Sequence, residues 1–162
     1  MGDERDQLKV LLDKHLANRP DAFKWLMDFW NMAHALDDII DIPERRADNQ
    51  FIGSVMNRYI DVFSADFYVN RRHLLYATTK FIHHNYFDSL EWELKDVDVA
   101  WKKTYADVLR CGANQILVIV VETVVKEETG DSQVAYEAAR EVGLVARVAA
   151  WLDHHDEKGL PI

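Results

Sequence analysis

Apolar residues recur at helical spacing along almost the whole chain. A first amphipathic helix is predicted over residues 3–17, because its leucines fall on one face. Pro20 fits the first turn of a second helix, which is predicted to reach residue 42 and to be closed by Pro43. No segment alternates apolar and polar positions for long, so the pattern predicts an all-α protein.

Capping residues, glycine and proline mark the ends of the later helices. Residues 43–50 are predicted to be a polar connection, and the sequence Asp88-Ser89-Leu90-Glu91 resembles a capping box that opens a new helix. Gly130 is predicted to end a long helical stretch, and Ser132 to cap the final helix. The predicted helices after the connection cover residues 49–63, 66–86, 91–128 as one bent helix or two, and 132–157. The β-branched run at residues 116–121 is assigned to helix, because its flanks continue the helical pattern.

These segments predict a single-domain bundle of about six helices that covers residues 1–162. The chain of 162 residues is 49% hydrophobic, which is enough apolar surface for one packed core. The second helix is expected to lie near the centre, because apolar residues surround most of its circumference.

The helical phase of the second helix places acidic residues beside aromatic ones. With Trp30 at zero degrees, His34, Asp37 and Asp41 fall within about 40 degrees of it, and Asp38 lies at about 80 degrees. Asp37 and Asp41 therefore continue an aromatic stripe and are predicted to point inward, with Asp38 nearer the rim.

Three aspartates at the C-terminal end of a helix need a specific explanation. Partly buried carboxylates repel one another, and the helix dipole disfavours negative charge at this end. A divalent cation removes both conflicts, and hard oxygen ligands are those that Mg²⁺ prefers. The alternative is a solvated helix end whose carboxylates pair with Arg45 and Arg46.

Residues 29–44, with the sequence FWNMAHALDDIIDIPE, resemble the first aspartate-rich helix of class I isoprenoid synthases, most closely the squalene and phytoene synthase branch. The resemblance implies an all-α fold in which two acidic helices face each other across a cavity. It also implies three Mg²⁺ ions that bind a substrate diphosphate, whose ionisation leaves an allylic cation. Asp37, Asp38 and Asp41 would then hold Mg²⁺, and Trp30 and His34 would line the cavity.

Residues 151–161, with the sequence WLDHHDEKGLP, resemble the second acidic segment of the same branch. The resemblance assigns Asp153, Asp156 and Glu157 to the second set of metal ligands. If a diphosphate binds, three basic residues at the start of the fourth predicted helix and two turns further along it are its anion partners. These residues are Arg71, Arg72 and Lys80.

Charge and cysteine content restrict the classes of partner. The net charge of −9 disfavours a nucleic-acid groove or an anionic membrane surface and suits a cation or a basic protein. The longest aliphatic run has six residues, too few for a membrane span. A single cysteine, Cys111, and a polar N-terminus predict a cytoplasmic protein.

The leading hypothesis is Mg²⁺- or Mn²⁺-dependent binding, with transfer or hydrolysis, of a prenyl-diphosphate-like ester. One alternative is an acidic helical interaction protein of the accessory or viral type, without enzymatic activity, which forms a homodimer or binds a protein partner. A second alternative is an all-α nucleotide pyrophosphatase that uses two Asp-x-x-Asp pairs, at residues 38–41 and 153–156. A weaker one is a phosphohydrolase of the HD type at His154-His155-Asp156. Whether the chain is an enzyme stays open among these hypotheses.

Overall fold

The computed structural model describes residues 3–94 and 114–158, and every regular element in that part is a helix. This confirms the predicted all-α class. The helices are α1 Asp3–Leu16, α2 Pro20–Asp41, α3 Pro43–Ala47, α4 Asn49–Ser64, α5 Asp66–Asn70, α6 Arg72–Leu94, α7 Gln115–Thr129 and α8 Ser132–Lys158. None of the helices in the described ranges is long and apolar enough to cross a membrane.

The chain divides into two compact units. One unit spans Arg19–Arg72 and contains α2 to α5, whereas the other combines Met1–Asn18 with His73–Ile162. The second unit is thus built from both ends of the sequence around the segment that forms the first. The prediction that residues 1–162 form one domain stays a prediction.

In the unit that spans Arg19–Arg72, α2 contacts α3, α4 and α5. The ring of Trp25 is buried and lies 5.9 Å from Tyr68 in a stacked arrangement and 5.4 Å from Phe67. Its indole Nε1 donates to the carbonyl oxygen of Val62 at 2.9 Å. Val62 lies in the last turn of α4, where carbonyls have no partner within the helix, so Trp25 satisfies one of them.

The connection predicted at residues 43–50 is partly helical. Pro43 opens the short helix α3, and Asp48 then caps α4, because its Oδ1 accepts from the backbone nitrogens of Gln50 at 2.9 Å and Phe51 at 3.0 Å. The polar residues here close helix ends, and the pattern of polarity alone does not distinguish that role from a loop.

Two predicted boundaries in the middle of the chain are wrong. The helix predicted over residues 66–86 is divided at Arg71, whose backbone leaves the α conformation and whose N–H donates to the carbonyl of Tyr68. No new helix begins at residue 88, because α6 continues to Leu94. The hydroxyl of Ser89 donates to its own helix, to the carbonyl of Tyr86 at 2.6 Å, so it does not act as a cap.

The turn between α7 and α8 has the predicted glycine but a different cap. Gly130 adopts φ 70° in the left-handed region, and its N–H donates to the carbonyl of Lys126 at 2.9 Å. Asp131, and not Ser132, caps α8, since its Oδ1 accepts from the backbone nitrogens of Gln133 at 2.7 Å and Val134 at 3.3 Å. The carboxylate precedes the first helical residue, which is the geometry a cap requires.

Helices α7 and α8 form the core of the other unit. The predicted helix at residues 116–121 is confirmed within α7, and four of its six aliphatic side chains are buried, whereas Val118 and Ile119 are half-buried. Buried alanines on α8 allow close approach of the two backbones, and α1 packs against both helices with Leu12 and Leu16 buried. The alanines are Ala135, Ala138, Ala139 and Ala146.

A charged cluster joins α1 to α8. Glu141 Oε2 lies 3.1 Å from Lys14 Nζ and 3.0 Å from His15 Nε2, and the side chain of His15 is only 12% exposed. The hydrogen bond from His15, followed by that from Lys14, lowers the pKa of Glu141 below its usual value. This cluster links residues that are more than 120 positions apart in sequence.

We expect Asp48→Ala to lower the free energy of unfolding by about 1 kcal/mol, because the first turn of α4 loses its cap. Urea denaturation monitored by circular dichroism measures the change. Asp61→Ala, an exposed aspartate within the same helix, is the control and should change stability by less than about 0.5 kcal/mol. Equal losses in the two variants would contradict the capping role.

The lowered pKa of Glu141 predicts a pH dependence of stability. A carboxyl whose pKa is lower in the folded state stabilises the fold above its unfolded pKa, and this contribution disappears as the pH falls through the folded pKa. We therefore expect Glu141→Gln to be less stable than wild type at pH 7, with the difference shrinking as the pH falls and Glu141 becomes protonated in the folded state. Thermal unfolding at a series of pH values measures it. A difference that stays constant with pH would refute the ion-pair explanation.

Candidate functional site

The aspartate cluster, defined as Asp37, Asp38 and Asp41, lies at the C-terminal end of α2. The helix ends at Asp41, because Ile42 takes an extended conformation, with φ −108° and ψ 106°, immediately before Pro43. The N–H of Ile42 donates to the carbonyl of Asp38 at 3.0 Å, which closes the last turn. The cluster is thus carried by regular helix up to a sharp stop.

The burial of the three carboxylates differs from the phase prediction. Asp37 and Asp38 are both half-buried, whereas Asp41 is exposed. Asp41 is the last helical residue, and α3 and the start of α4 that follow it are exposed through residue 50. The partly buried pair is therefore Asp37 and Asp38, and the predicted inward pair of Asp37 and Asp41 is wrong.

The aromatic stripe is present on the same helix. The rings of Trp30 and His34 lie 5.5 Å apart in an edge-to-face arrangement, with Trp30 half-buried and His34 exposed. The opposite side of α2 carries the buried residues Trp25, Phe29 and Met32, as predicted. Trp30 and His34 are therefore accessible beside the aspartates and are not part of the aromatic core.

The two arginines of α3 contact the end of α2 and the start of α4. The guanidinium of Arg46 donates to the carbonyl oxygens of Ile39, at 3.2 Å, and Ile40. Arg45 lies over the ring of Phe51, with its Cζ 4.4 Å from the ring centroid. Arg46 therefore places positive charge at the negative end of the α2 dipole, close in sequence to the aspartate cluster.

The role of Arg46 as a helix cap does not follow from the sequence pattern, which suggests Arg45 and Arg46 only as ion-pair partners of the aspartates. A signal was present, because basic side chains near a helix C-terminus commonly bind its last carbonyls. The sequence pattern did not indicate the helical turn after Pro43, and this turn directs Arg46 back toward α2.

A complete metal site is not found in the part of the chain that the structure describes. Among the side chains that the structure describes, no group of three or more His, Cys, Asp or Glu residues is placed to hold a metal ion. Asp153, Asp156 and Glu157 lie on α8, and their side chains are outside the described residues. The aspartate cluster by itself thus offers carboxylates for part of a coordination shell.

The predicted anion partners have different environments. Arg71 lies with its Cζ 4.5 Å from the centroid of the Phe67 ring and donates to the Phe67 carbonyl at 3.3 Å. Arg72 and Lys80 are exposed on α6. Arg71 also contributes to lowering the pKa of Asp21, after the larger effect of the hydrogen bond from Arg19.

We expect Arg46→Gln to lower the free energy of unfolding by about 1 kcal/mol, because the last carbonyls of α2 lose a charged donor. Arg58→Gln removes the same charge from an exposed residue of α4 and is the matched control. Chemical denaturation of both variants measures the difference. If Arg58→Gln costs as much as Arg46→Gln, general charge loss explains the effect and the capping role fails.

Comparison with known proteins adds no relative. No protein-family model, curated protein or solved structure matches the chain. The resemblance to class I isoprenoid synthases therefore rests on residues 29–44 and 151–161 of the sequence alone.

Proposed function

We propose that the chain binds a divalent cation, Mg²⁺ or Mn²⁺, at the aspartate cluster and through it a diphosphate ester of the prenyl type. The observation that carries the proposal is the half-burial of two adjacent carboxylates, Asp37 and Asp38, near the C-terminal end of α2. Negative charge is disfavoured at this end of a helix, and a bound cation offsets the cost. The residue types therefore fit a hard cation.

The cation would be held by Asp37 and Asp38, with the exposed Asp41 as a further ligand. A bound Mg²⁺ ion neutralises phosphate oxygens and makes a diphosphate a better leaving group. Trp30 and His34 lie on the same stripe of α2 and would contact the organic part of the ester. The sequence resemblance assigns a second set of metal ligands to Asp153, Asp156 and Glu157 of α8.

Arg71, Arg72 and Lys80 remain the proposed anion partners of the diphosphate. Arg71 contacts the ring and carbonyl of Phe67, and a guanidinium engaged in this way gives up those contacts when it binds a phosphate. Arg72 and Lys80 are exposed on α6. Transfer or hydrolysis of the ester would follow from loss of the diphosphate.

An interaction protein without enzymatic activity is the second candidate. The observation in its favour is that several large apolar side chains on α4, α6 and α8 are exposed, including Ile60, Phe81, Phe87 and Tyr136. A nucleotide pyrophosphatase is the third candidate and uses the same aspartates. It predicts release of diphosphate from a nucleoside triphosphate, whereas a prenyl-diphosphate site predicts no activity on that substrate.

We expect Mg²⁺ or Mn²⁺ to raise the melting temperature of the wild-type protein by mass action. A concentration about 100-fold above Kd adds about 2.7 kcal/mol, which corresponds to a shift of several degrees. Asp37→Asn/Asp41→Asn should abolish the shift, because the cation loses two carboxylates. Differential scanning fluorimetry over a series of cation concentrations, with and without inorganic diphosphate, measures it.

The matched control is Asp13→Asn/Asp61→Asn, which removes two exposed helical aspartates and the same total charge. This control should keep the full cation-dependent shift. A shift of equal size in all three proteins would mean that the cation acts on the general negative charge. No shift in the wild type, or a melting temperature that depends on protein concentration alone, would favour the interaction protein.

A further inference from the structure

Helix α6 is apolar on two opposite sides. One side buries Leu75 and Ile82. The opposite side carries four large apolar side chains that are between 45% and 58% exposed, namely Leu74, Tyr76, Phe81 and Phe87. A helix at the surface of a protein normally turns polar residues toward water, so this second side exposes more apolar surface than solvation explains.

The exposed residues of α6 form one continuous surface. Between residues 73 and 91 the exposed side chains fall within an arc of about 160 degrees, at 100 degrees per residue. We call this arc the outer face of α6. Besides the four apolar side chains it contains His73, Ala77, Lys80, His84, Asp88 and Glu91.

Charge is divided between the two halves of the outer face. Its N-terminal half carries the basic residues His73 and Lys80, and its C-terminal half carries the acidic residues Asp88 and Glu91. Lys80 and Asp88 form no ion pair with another residue that the structure describes. They lie four residues before and four residues after His84. The outer face therefore has one basic end and one acidic end on either side of a central histidine.

This arrangement is complementary to a second copy of itself that runs in the opposite direction. In an antiparallel pair with its two-fold axis near His84, Lys80 of one copy lies at the level of the partner's Asp88, and the same contact occurs twice. Phe81 and Phe87 lie three residues before and after His84, so aromatic side chains also meet at common levels. A parallel pair, or a partner of one charge sign, would bring like charges together at one end of the face. The charge pattern therefore selects a reversed copy of α6.

The area of the outer face suits a reversible dimer. A whole aromatic side chain contributes about 200 Å², so the three half-exposed rings offer roughly 300 Å² per copy and roughly 600 Å² in a pair. The charged and aliphatic residues of the face bring the total toward the ~1,200 Å² below which specific complexes are usually transient. We therefore expect a dissociation constant in the micromolar range.

We propose that two copies of the chain associate through their outer faces, with the two α6 helices antiparallel. The partner helix covers Phe81 and Phe87, and removal of these rings from water drives the association. Lys80 pairs with the partner's Asp88 on both sides of the two-fold axis, which fixes the antiparallel direction. This interface is independent of the proposed cation site on α2.

Sedimentation velocity at protein concentrations below and above the expected Kd tests the proposal. We expect the wild type to change from monomer to dimer as the concentration rises. Phe81→Ser/Phe87→Ser should weaken dimerisation by about tenfold or more, which is the scale of losing interface anchors. Tyr136→Ser/Leu144→Ser removes two apolar side chains of similar exposure from α8 and should dimerise like the wild type.

Charge reversal tests the direction of pairing and leaves the aromatic rings in place. Lys80→Asp removes the lysine from the basic end and puts a carboxylate there, whereas Asp88→Lys puts an ammonium group at the acidic end. Each variant alone should dimerise less than the wild type, because like charges then meet twice. We expect Lys80→Asp/Asp88→Lys to recover dimerisation. An equimolar mixture of the two single variants should form a mixed dimer, because each chain supplies the charge that the other lacks.

Three outcomes would overturn the proposal. The first is a wild type that stays monomeric over the whole range, since a different partner must then cover the face. The second is dimerisation that persists in Phe81→Ser/Phe87→Ser or is lost in Tyr136→Ser/Leu144→Ser, which would place the interface elsewhere. The third is self-association of the single charge variants that equals that of the double charge variant.

The aromatic variant also separates this proposal from the proposed cation site. Lys80 is a proposed diphosphate ligand, whereas Phe81 and Phe87 have no part in that site. Phe81→Ser/Phe87→Ser should therefore lose dimerisation and keep the cation-dependent melting shift of the wild type. A wild type that dimerises without any cation-dependent shift would contradict the cation site alone.

Discussion

The hydrogen bond from the Trp25 indole to the carbonyl of Val62 is the interaction on which the unit of α2 to α5 depends. It joins the middle of α2 to the last turn of α4, and it satisfies a carbonyl that the helix itself leaves without a partner. The ring packs between Phe29, Phe67 and Tyr68. With the rotation of α2 fixed in this way, Asp37 and Asp38 are directed away from the aromatic core.

Helix ends determine much of the remaining structure. Arg46 occupies the last carbonyls of α2, Asp48 satisfies the first amides of α4, and Asp131 does the same for α8. Each of these residues belongs to a connection and acts on the helix next to it. The chain has few glycines and prolines, so charged side chains carry out the capping that backbone turns perform in other proteins.

The proposed cation site depends on a local electrostatic cost. The aspartate cluster concentrates negative charge at the end of a helix where the helix dipole disfavours it, and a bound cation removes that cost.

The sequence by itself determined the helical class and most helix positions, because helical spacing of apolar residues is a local property. It also identified the end of α2 before Pro43 and the turn at Gly130, because proline and glycine each favour the backbone conformation found there. It failed at residue 88, where a capping-box pattern lies inside α6. The helix continues past residue 88 because one of its faces stays buried there, and a four-residue motif carries no information about burial.

Only the tertiary structure decided which carboxylates are buried and which basic side chains contact other residues. Helical phase gives an angle, but burial depends on what packs at that angle, so Asp41 is exposed and Asp38 is half-buried. The roles of Arg46 and of the Lys14, His15 and Glu141 cluster depend on residues brought together by chain reversal. The sequence therefore identified the acidic helix, and the packing around it determined which of its charges a ligand can reach.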